Sequence, residues 1–491
     1  MIFVGPYLSN PNCHFNMNVV DSLGSKNDLV IDIKEEIDYL EKIKYYLKDK
    51  NIEDEIIIYN PFEKENFVIV MKREIPKLRI YMYCSDDEWR CFNYDRYLAL
   101  YVDFFTITAK KHLPLYEKWG FENVIGTNWA CNPNKFYPLD VVKKYDVTFI
   151  GAPYGKRIDY VREAIRNNIN IKVFGKGWNK FKDIKPYWGG FVSSKEMNII
   201  INESKINLNF MWSSKGGYQV KGRNFELSGC NVFQLCNYGD ELLDYFTPQE
   251  TIDTFNNKKN FIDKINYYLE NEEIRENIAQ NSYKTTMNEH TWGIKFDEIF
   301  EFGKDKQIIQ DLPKFKVLIN VKKDVKHNIL NNDQRLDIYF KDTEKHYDGM
   351  IELKNHSTIN NDTLYLMAFA LYADKSDIVL SNFYINNIWI RFRDFKIKKN
   401  KYLTNLFPAE SIMYKSKDKL NKKISTYKEY SYIEYPTYEI NSLNLIIKVI
   451  LRLLFSSYHQ VEKFNEYKNK KNFIGMSIIA YEYFTRKIFI K

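Results

Sequence analysis

Short apolar runs alternate with stretches of helical spacing along the first 310 residues of the chain. Runs of four to six apolar residues between turn residues read as buried strands. Their alternation with helices is the pattern of βα units around a parallel sheet. Strands are expected at Met1–Val4, Glu55–Tyr59, Phe67–Met71, Arg79–Cys84, Phe104–Thr108 and Val124–Gly126. After Pro133 and Pro138 the pattern restarts, with strands expected at Tyr145–Ile150, Ile171–Phe174, Ile206–Phe210 and Val232–Leu235. The two prolines therefore mark a hinge between two Rossmann-like halves. A cleft facing the carboxyl ends of both sheets is the default ligand site of such a pair.

The pattern changes after the helix-like Thr291–Phe302 and the charged string GKDKQ. A third region begins near Leu312-Pro313, with strands expected at Lys316–Asn320 and Ile378–Ser381 and a helix over Asp362–Tyr372. A polar stretch follows from Lys396 to Lys423. Leu443–Phe455 reads as a helix with Ile446, Ile447, Ile450, Leu453 and Leu454 on its apolar side and Lys448 and Arg452 on the other. No internal repeat of fixed period is present. The expected organisation is α/β: a Rossmann-like domain over 1–138, a second over 139–290, a crossover helix and linker over 291–311, and a smaller C-terminal domain over 312–491.

Composition narrows the class. With 491 residues, 45% hydrophobic and 28% charged, the chain is globular and long enough for about three domains. The net charge of +8 is unevenly placed. From Arg391 to the end there are 21 Lys and Arg against 9 Asp and Glu, so the remainder is net negative. That basic end suggests an anionic neighbour: a membrane surface, an acidic glycan or a nucleic acid. Nucleic acid is the weakest of the three, because no aromatic-basic stacking motif or known nucleic-acid module is visible. The six cysteines (Cys13, Cys84, Cys91, Cys131, Cys230, Cys236) form no CxxC pair and no metal-finger spacing, so reduced thiols and no structural zinc are expected. No run approaches 18 uncharged apolar residues, and MIFVGPYLSN lacks the basic and apolar segments of a signal peptide. A cytoplasmic protein is expected, with peripheral contact at the inner face of the membrane as one use of the basic end.

Three segments carry candidate chemistry. KGRNFELSGCNVFQLC, Lys221 to Cys236, places Lys221, Arg223, Asn224 and Glu226 within six residues, ahead of a Ser228-Gly229 turn and an apolar run. Cations can meet phosphate oxygens and a carboxylate can accept both ribose hydroxyls, which suits a sugar nucleotide. An exposed helix end with ordinary surface charges is the competing reading. YDVTFIGAPYGKR, Tyr145 to Arg157, reads as a strand, a glycine turn and a helix start whose backbone amides can hold phosphate. VFGKGW, Val173 to Trp178, is a second strand ending in glycines.

Two features offer a base. The acids Asp86, Asp87 and Glu88 follow a strand, so one of them can orient or deprotonate a hydroxyl in the cleft. Equally, they can cap the next helix and face water. His14 lies about ten residues after the first strand, where a neutral imidazole suits proton abstraction near pH 7. A polar residue at a helix start is its alternative reading.

In order and spacing, YDVTFIGAPYGKR, VFGKGW, KGRNFELSGCNVFQL, ELLDYF with ETIDTF, and INYYLENEEIRENIAQNSYKTTMNEHTW resemble the spore-maturation (CgeB-like) glycosyltransferases, part of the GT-B group. DDEWR and NPNKFYP upstream look similar too, and the likeness spans roughly residues 75 to 300. It implies two Rossmann-like domains, a nucleotide-sugar site in the second, an acceptor side in the first, and no required metal or other cofactor. By this resemblance Glu226 is the ribose ligand and Lys221 and Arg223, with Asn224 beside them, meet the diphosphate. Gly151, Tyr154 and Arg157 would border the phosphates, with Gly175, Gly177 and Trp178 near the base. His290-Thr291-Trp292 resembles the start of the last helix, where a packed structural histidine is favoured over a catalytic one. Histidine bases near the first helix are also known in this fold, although the usual glycine-rich loop before His14 is missing.

Residues 346–383 resemble the middle of a GT-A domain, but ELKNHST stands where paired carboxylates would hold a metal diphosphate. A truncated, inactive remnant used in acceptor binding or assembly is expected there. The function expected for the whole is transfer of a sugar from a nucleotide diphosphate to a glycan, lipid-linked or cell-surface polymer acceptor. The alternative is a non-catalytic glycan-binding or scaffold protein that keeps the fold.

Overall fold

The computed structural model describes residues 1–8, 15–26, 28–36, 38–52, 56–59, 67–85, 87–91, 95–212, 217–304, 314–321, 335–340, 347–353, 357–359, 364–365, 367–369, 372, 378–385, 388–390, 412–414 and 430–440. The chain divides into two compact units, 1–310 and 311–491.

The first unit holds two sheets. One runs β2-β1-β3-β4-β5-β6, built from β1 (Ile2–Gly5), β2 (Leu29–Asp32), β3 (Ile56–Tyr59), β4 (Arg79–Tyr83), β5 (Phe104–Ile107) and β6 (Val124–Gly126). The other runs β11-β10-β9-β7-β8, built from β7 (Tyr145–Ile150), β8 (Ile171–Phe174), β9 (Ser204–Asn209), β10 (Gln234–Asn237) and β11 (Asp253–Phe255). Every pairing in both sheets is parallel. Numbered from its own first strand, the second sheet has the order 2-1-3-4-5, which the first sheet shares and extends by one. The chain therefore reverses direction between β1 and β3 and again between β7 and β9, and the crevice outside such a switch point is where doubly wound sheets bind ligands. Central strands such as β1, with Ile2, Phe3 and Val4 fully buried, are apolar on both faces because helices cover both faces.

Most strand expectations hold within two residues, and β7 and β8 match end to end. Phe67–Met71 does not: these residues open a helix, Phe67–Glu74. Phe67, Val68 and Met71 are buried, at helical spacing, and Phe67 stacks on Tyr59 with ring centroids 4.8 Å apart. A five-residue apolar run has no periodicity that separates strand from buried helix, and only the continuation KRE carries the signal. The edge strands β2 and β11 were not expected: β2 has Val30 exposed at the sheet edge, and β11, Asp253–Phe255, has a single apolar residue.

The linker from β6 to β7, which contains Pro133 and Pro138, meets the start of the last helix, Trp292–Lys304. Cys131 donates its N–H to the His290 carbonyl at 2.8 Å, and the Trp292 N–H donates to the Cys131 carbonyl at 3.0 Å. Beyond this bridge the helix packs on the first domain. Trp292 meets Tyr83 edge-on at 5.5 Å, Phe300 meets Tyr81 at 6.1 Å, and Arg79 donates to the Gly303 carbonyl at 3.0 Å. The expected return crossover is thus present, one or two residues later than its expected start.

The second unit is a mixed sheet in the order β13-β12-β14-β18-β16-β19-β15, with β17 (Ile388–Ile390) paired to β16. Its strands are β12 (Phe315–Val321), β13 (Leu336–Tyr339), β14 (Gly349–Leu353), β15 (Ser357–Ile359), β16 (Ile378–Ile385), β18 (Ile412–Tyr414) and β19 (Tyr430–Ile440). Strands β13, β12 and β14 are mutually parallel, and β18 runs antiparallel to β14. The strands expected at Lys316–Asn320 and Ile378–Ser381 lie inside β12 and β16. The helix expected at Leu443–Phe455 lies outside the described residues, as does most of the basic end.

Candidate functional site

The helix Gly222–Gly229 is built from the most informative stretch of the sequence. Lys221 precedes it in extended conformation, and its N–H donates to Asn224 Oδ1 at 3.1 Å. Asn224 is fully buried and donates to Gln234 Oε1 at 3.3 Å, while Gln234 Nε2 donates to the Asn224 carbonyl and to Ser228 Oγ, each at 2.8 Å. Asn224 therefore caps the helix and ties it to β10, and its amide is committed to those contacts. Gly229 is fixed by close approach, since a Cβ there would lie 2.3 Å from Cys131 Sγ in the linker.

One turn of this helix presents the charged pair. Arg223 Nη1 lies 3.0 Å from Glu226 Oε2, and Glu226 is 2% exposed. The other carboxylate oxygen accepts from Asn18 Nδ2 of the first domain at 3.0 Å. The predicted ribose ligand thus sits at the seam between the domains, within reach of both. Lys221 Nζ donates to Gln219 Oε1 at 3.3 Å, just ahead of the helix.

Beside it, the turns after β7 and β8 interlock. Gly175 has φ +119°, and a Cβ there would lie 2.7 Å from the Gly151 carbonyl, so only glycine fits. Gly177 has φ +104° and leads into Trp178. Trp178 is fully buried, meets Phe149 edge-on, and donates its indole N–H to the Gly151 carbonyl at 2.7 Å. Its role here is to staple the two turns together. Arg157 spans the switch point. Its guanidinium donates to the carbonyls of Phe210 at 2.8 Å, Trp212 at 3.3 Å and Ala152 at 3.3 Å, and lies 3.8 Å from the Tyr154 ring centroid. Burial pulls its pKa down to about 10; Tyr154 opposes that shift and the nearby Arg223 adds to it. Gly151, Tyr154, Arg157 and Arg223 are therefore brought together. Much of Arg157 is spent on backbone carbonyls.

On the first-domain side, Asp87 follows β4 and is fully buried. Its carboxylate accepts from the backbone N–H groups of Thr108 and Ala109, each at 3.0 Å, from the Thr108 hydroxyl, and from Gln219 Nε2 at 3.2 Å. Gln219 also donates to the Thr108 hydroxyl. Burial raises the Asp87 pKa, against the pull of these donors. The sequence reading offered Asp87 as a base. The structure instead spends it on the loop after β5 and on a side chain of the opposite domain, which is a latch geometry. Asp86 and His14, the other two candidates, lie outside the described residues. His290 is 6% exposed and packed among aromatic rings, with centroids 5.1 Å from Phe225 and 5.7 Å from Tyr245. Burial lowers its pKa to about 4, so it is neutral at pH 7, in keeping with a packed structural residue.

Gln219, Asn18 and Glu241 escaped the sequence reading. Gln219 and Asn18 are ordinary polar residues whose partners lie 132 and 208 positions away. Glu241 stands in the polar string GDELLD, where nothing marks it as buried. No cluster of three or more metal-ligating side chains occurs among the described residues, and no described helix is long and apolar enough to cross a membrane.

Residues 157–301 match a family model described as glycosyl transferase-like. The spore protein CgeB of Bacillus subtilis (strain 168) is 25% identical over 215 residues, covering 39% of this chain and 64% of that protein. The match thus spans slightly under two thirds of that relative's length. Among solved structures, sucrose-phosphate synthase from Thermosynechococcus elongatus superposes with a TM-score of 0.44 at 10% identity, over 61% of this chain and 97% of that one. HepE from Anabaena, solved in complex with UDP-glucose, superposes with a TM-score of 0.45 at 9% identity, over 61% and 98%. The chain resembles the CgeB-like glycosyltransferases over the segment whose motifs suggested it, and its two Rossmann-like domains form a GT-B architecture.

Proposed function

We propose that the chain transfers a sugar from a nucleotide diphosphate to a hydroxyl of a glycan, a lipid-linked precursor or a cell-surface polymer. The observation that carries this reading is the pair Arg223–Glu226, held on one turn of a buried helix beside the interlocked glycine turns of the β7–β9 switch point. A nucleotide laid across that crevice meets a carboxylate suited to two adjacent ribose hydroxyls. It also meets cations suited to a diphosphate. Ribose would take over the hydrogen bond that Asn18 makes to Glu226.

Lys221, Arg223 and the amino end of the helix Gly222–Gly229 would stabilise charge developing on the leaving diphosphate. This is the work a divalent cation does in other transferases, and on this reading none is required. The acceptor would enter from the first-domain side. The basic stretch beyond Arg391 suits an anionic acceptor or a membrane surface at the cytoplasmic face.

The test is nucleotide-sugar binding. A panel of UDP-, GDP-, CMP- and dTDP-sugars should include one that raises the melting temperature of the chain and is slowly hydrolysed by it. Glu226→Ala should abolish that binding in a calorimetric titration. Unchanged affinity would sink the donor-site assignment. Tight polysaccharide binding with no turnover of any donor would favour a glycan-binding protein that kept the fold.

A further inference from the structure

The turn Asp240–Asp244 follows β10 and carries a carboxylate that the reading above leaves unused. Both oxygens of Glu241 are buried, and neither has a hydrogen-bond partner among the described residues. A buried acceptor left without a donor costs about 1–3 kcal/mol, more when it is charged, so folded proteins retain few such groups and concentrate them at working sites.

The surroundings of Glu241 come from both domains. Lys111 and Asp87 approach from the first; Lys221, Asp244, Tyr218 and Tyr245 approach from the second. None of the potential donors is turned to it. Lys111 Nζ donates to the Tyr218 carbonyl at 3.2 Å, and Lys221 Nζ to Gln219 Oε1 at 3.3 Å. The Tyr218 hydroxyl is directed at Met211 Sδ and the Gly239 carbonyl, and the Tyr245 hydroxyl at the Thr127 carbonyl. The carboxylate thus stands at the seam, next to a proposed diphosphate cation, with its acceptor capacity unspent. Burial pushes its pKa up to about 7; Lys111 and Lys221 oppose the shift, while Asp87 and Asp244 add to it. A base is most effective when its pKa lies near the working pH.

We propose that Glu241 is the catalytic residue that takes the proton of the attacking hydroxyl. The acceptor oxygen bonds to the anomeric carbon, and the bond from that carbon to the diphosphate oxygen breaks with its electron pair leaving on the diphosphate. The hydroxyl proton passes to the Glu241 carboxylate. This step rests on the transferase reading above and places the base in the donor domain, whereas the sequence pointed to the first.

The experiment uses the full chain, with water as the attacking hydroxyl, and follows hydrolysis of whichever of UDP-glucose, UDP-N-acetylglucosamine, GDP-mannose and dTDP-glucose it turns over. Glu241→Gln should lower kcat by about 100-fold or more, while the Kd for the matching nucleoside diphosphate stays within about threefold. The wild-type rate should fall as pH drops through about 7, and this acid limb should vanish in the variant. Glu241→Asp keeps the carboxylate and is the second variant: it should retain an acid limb, displaced from that of the wild type. If Glu241→Gln does not fold, a Glu241→Asp limb identical in position and rate to the wild type overturns the assignment. So does a folded Glu241→Gln with wild-type kcat and limb, in which case the transferase reading stands without it. A wild-type chain that neither binds nor hydrolyses any donor overturns both.

Discussion

Replacing Asp87 separates a latch from a base. The carboxylate accepts four hydrogen bonds in full burial: two from backbone N–H groups, one from the Thr108 hydroxyl and one from Gln219 across the seam. In Asp87→Ala the two amides and the Thr108 hydroxyl lose their acceptor, at about 1–3 kcal/mol for each buried group left unsatisfied, while Gln219 keeps the Thr108 hydroxyl. Partial relaxation brings the expected loss to about 4 kcal/mol. For a domain of this size, about 2–4 °C of Tm per kcal/mol puts the fall near 8–16 °C. Asp87→Asn is milder. Its amide oxygen can keep both backbone donors, while its NH2 group faces Thr108 and forces Gln219 to turn over, so about 1–2 kcal/mol is expected. Thermal unfolding of the full chain measures these losses, and donor hydrolysis measured well below Tm gives kcat. A latch predicts reduced stability with kcat of Asp87→Asn within about tenfold of the wild type. A thousandfold loss of kcat at unchanged Tm would refute the reasoning and restore Asp87 as a base.

Two further outcomes follow from the same geometry. Gly175→Ala puts a Cβ 2.7 Å from the Gly151 carbonyl at a φ of +119°, so it should destabilise the chain by about 2–4 kcal/mol and weaken nucleotide binding, read by unfolding and calorimetry. The depressed pKa of His290, about 4 against an ordinary 6.5, means that its neutral form stabilises the fold above pH 6.5. That stability should be lost as pH falls from about 6.5 to 4, by roughly 3 kcal/mol in total, and His290→Asn should flatten this part of the stability–pH curve.

What could be read from the chain was local. Strands β7 and β8 were legible to the residue because each is a short apolar run ending in a glycine turn, as were the residues of the helix Gly222–Gly229, which lie together in sequence. Phe67–Met71 misled because five consecutive apolar residues carry no period. The division of labour within the site was not legible at all. Asn18 with Glu226, and Asp87 with Gln219, meet only after two domains close on each other, and no spacing in the sequence announces either pair. The resemblance puts Trp178 near the nucleotide base, and its ring is fully buried in the core of that turn. Glu241 is the converse, a surface-looking acid that burial converts into a titrating group near neutrality.

The bridge between Cys131 and the start of the last helix bears on how the molecule moves. The polypeptide passes between the two domains twice, and the two passages are bonded to each other by a pair of backbone hydrogen bonds. Two independent strands would permit twist, slide and splay. Clasped together they restrict the ways in which the two domains can part. Any opening that spares this clasp must break the contacts across the seam, among them Asn18 with Glu226, Gln219 with Asp87 and the Lys111 ammonium with the Tyr218 carbonyl.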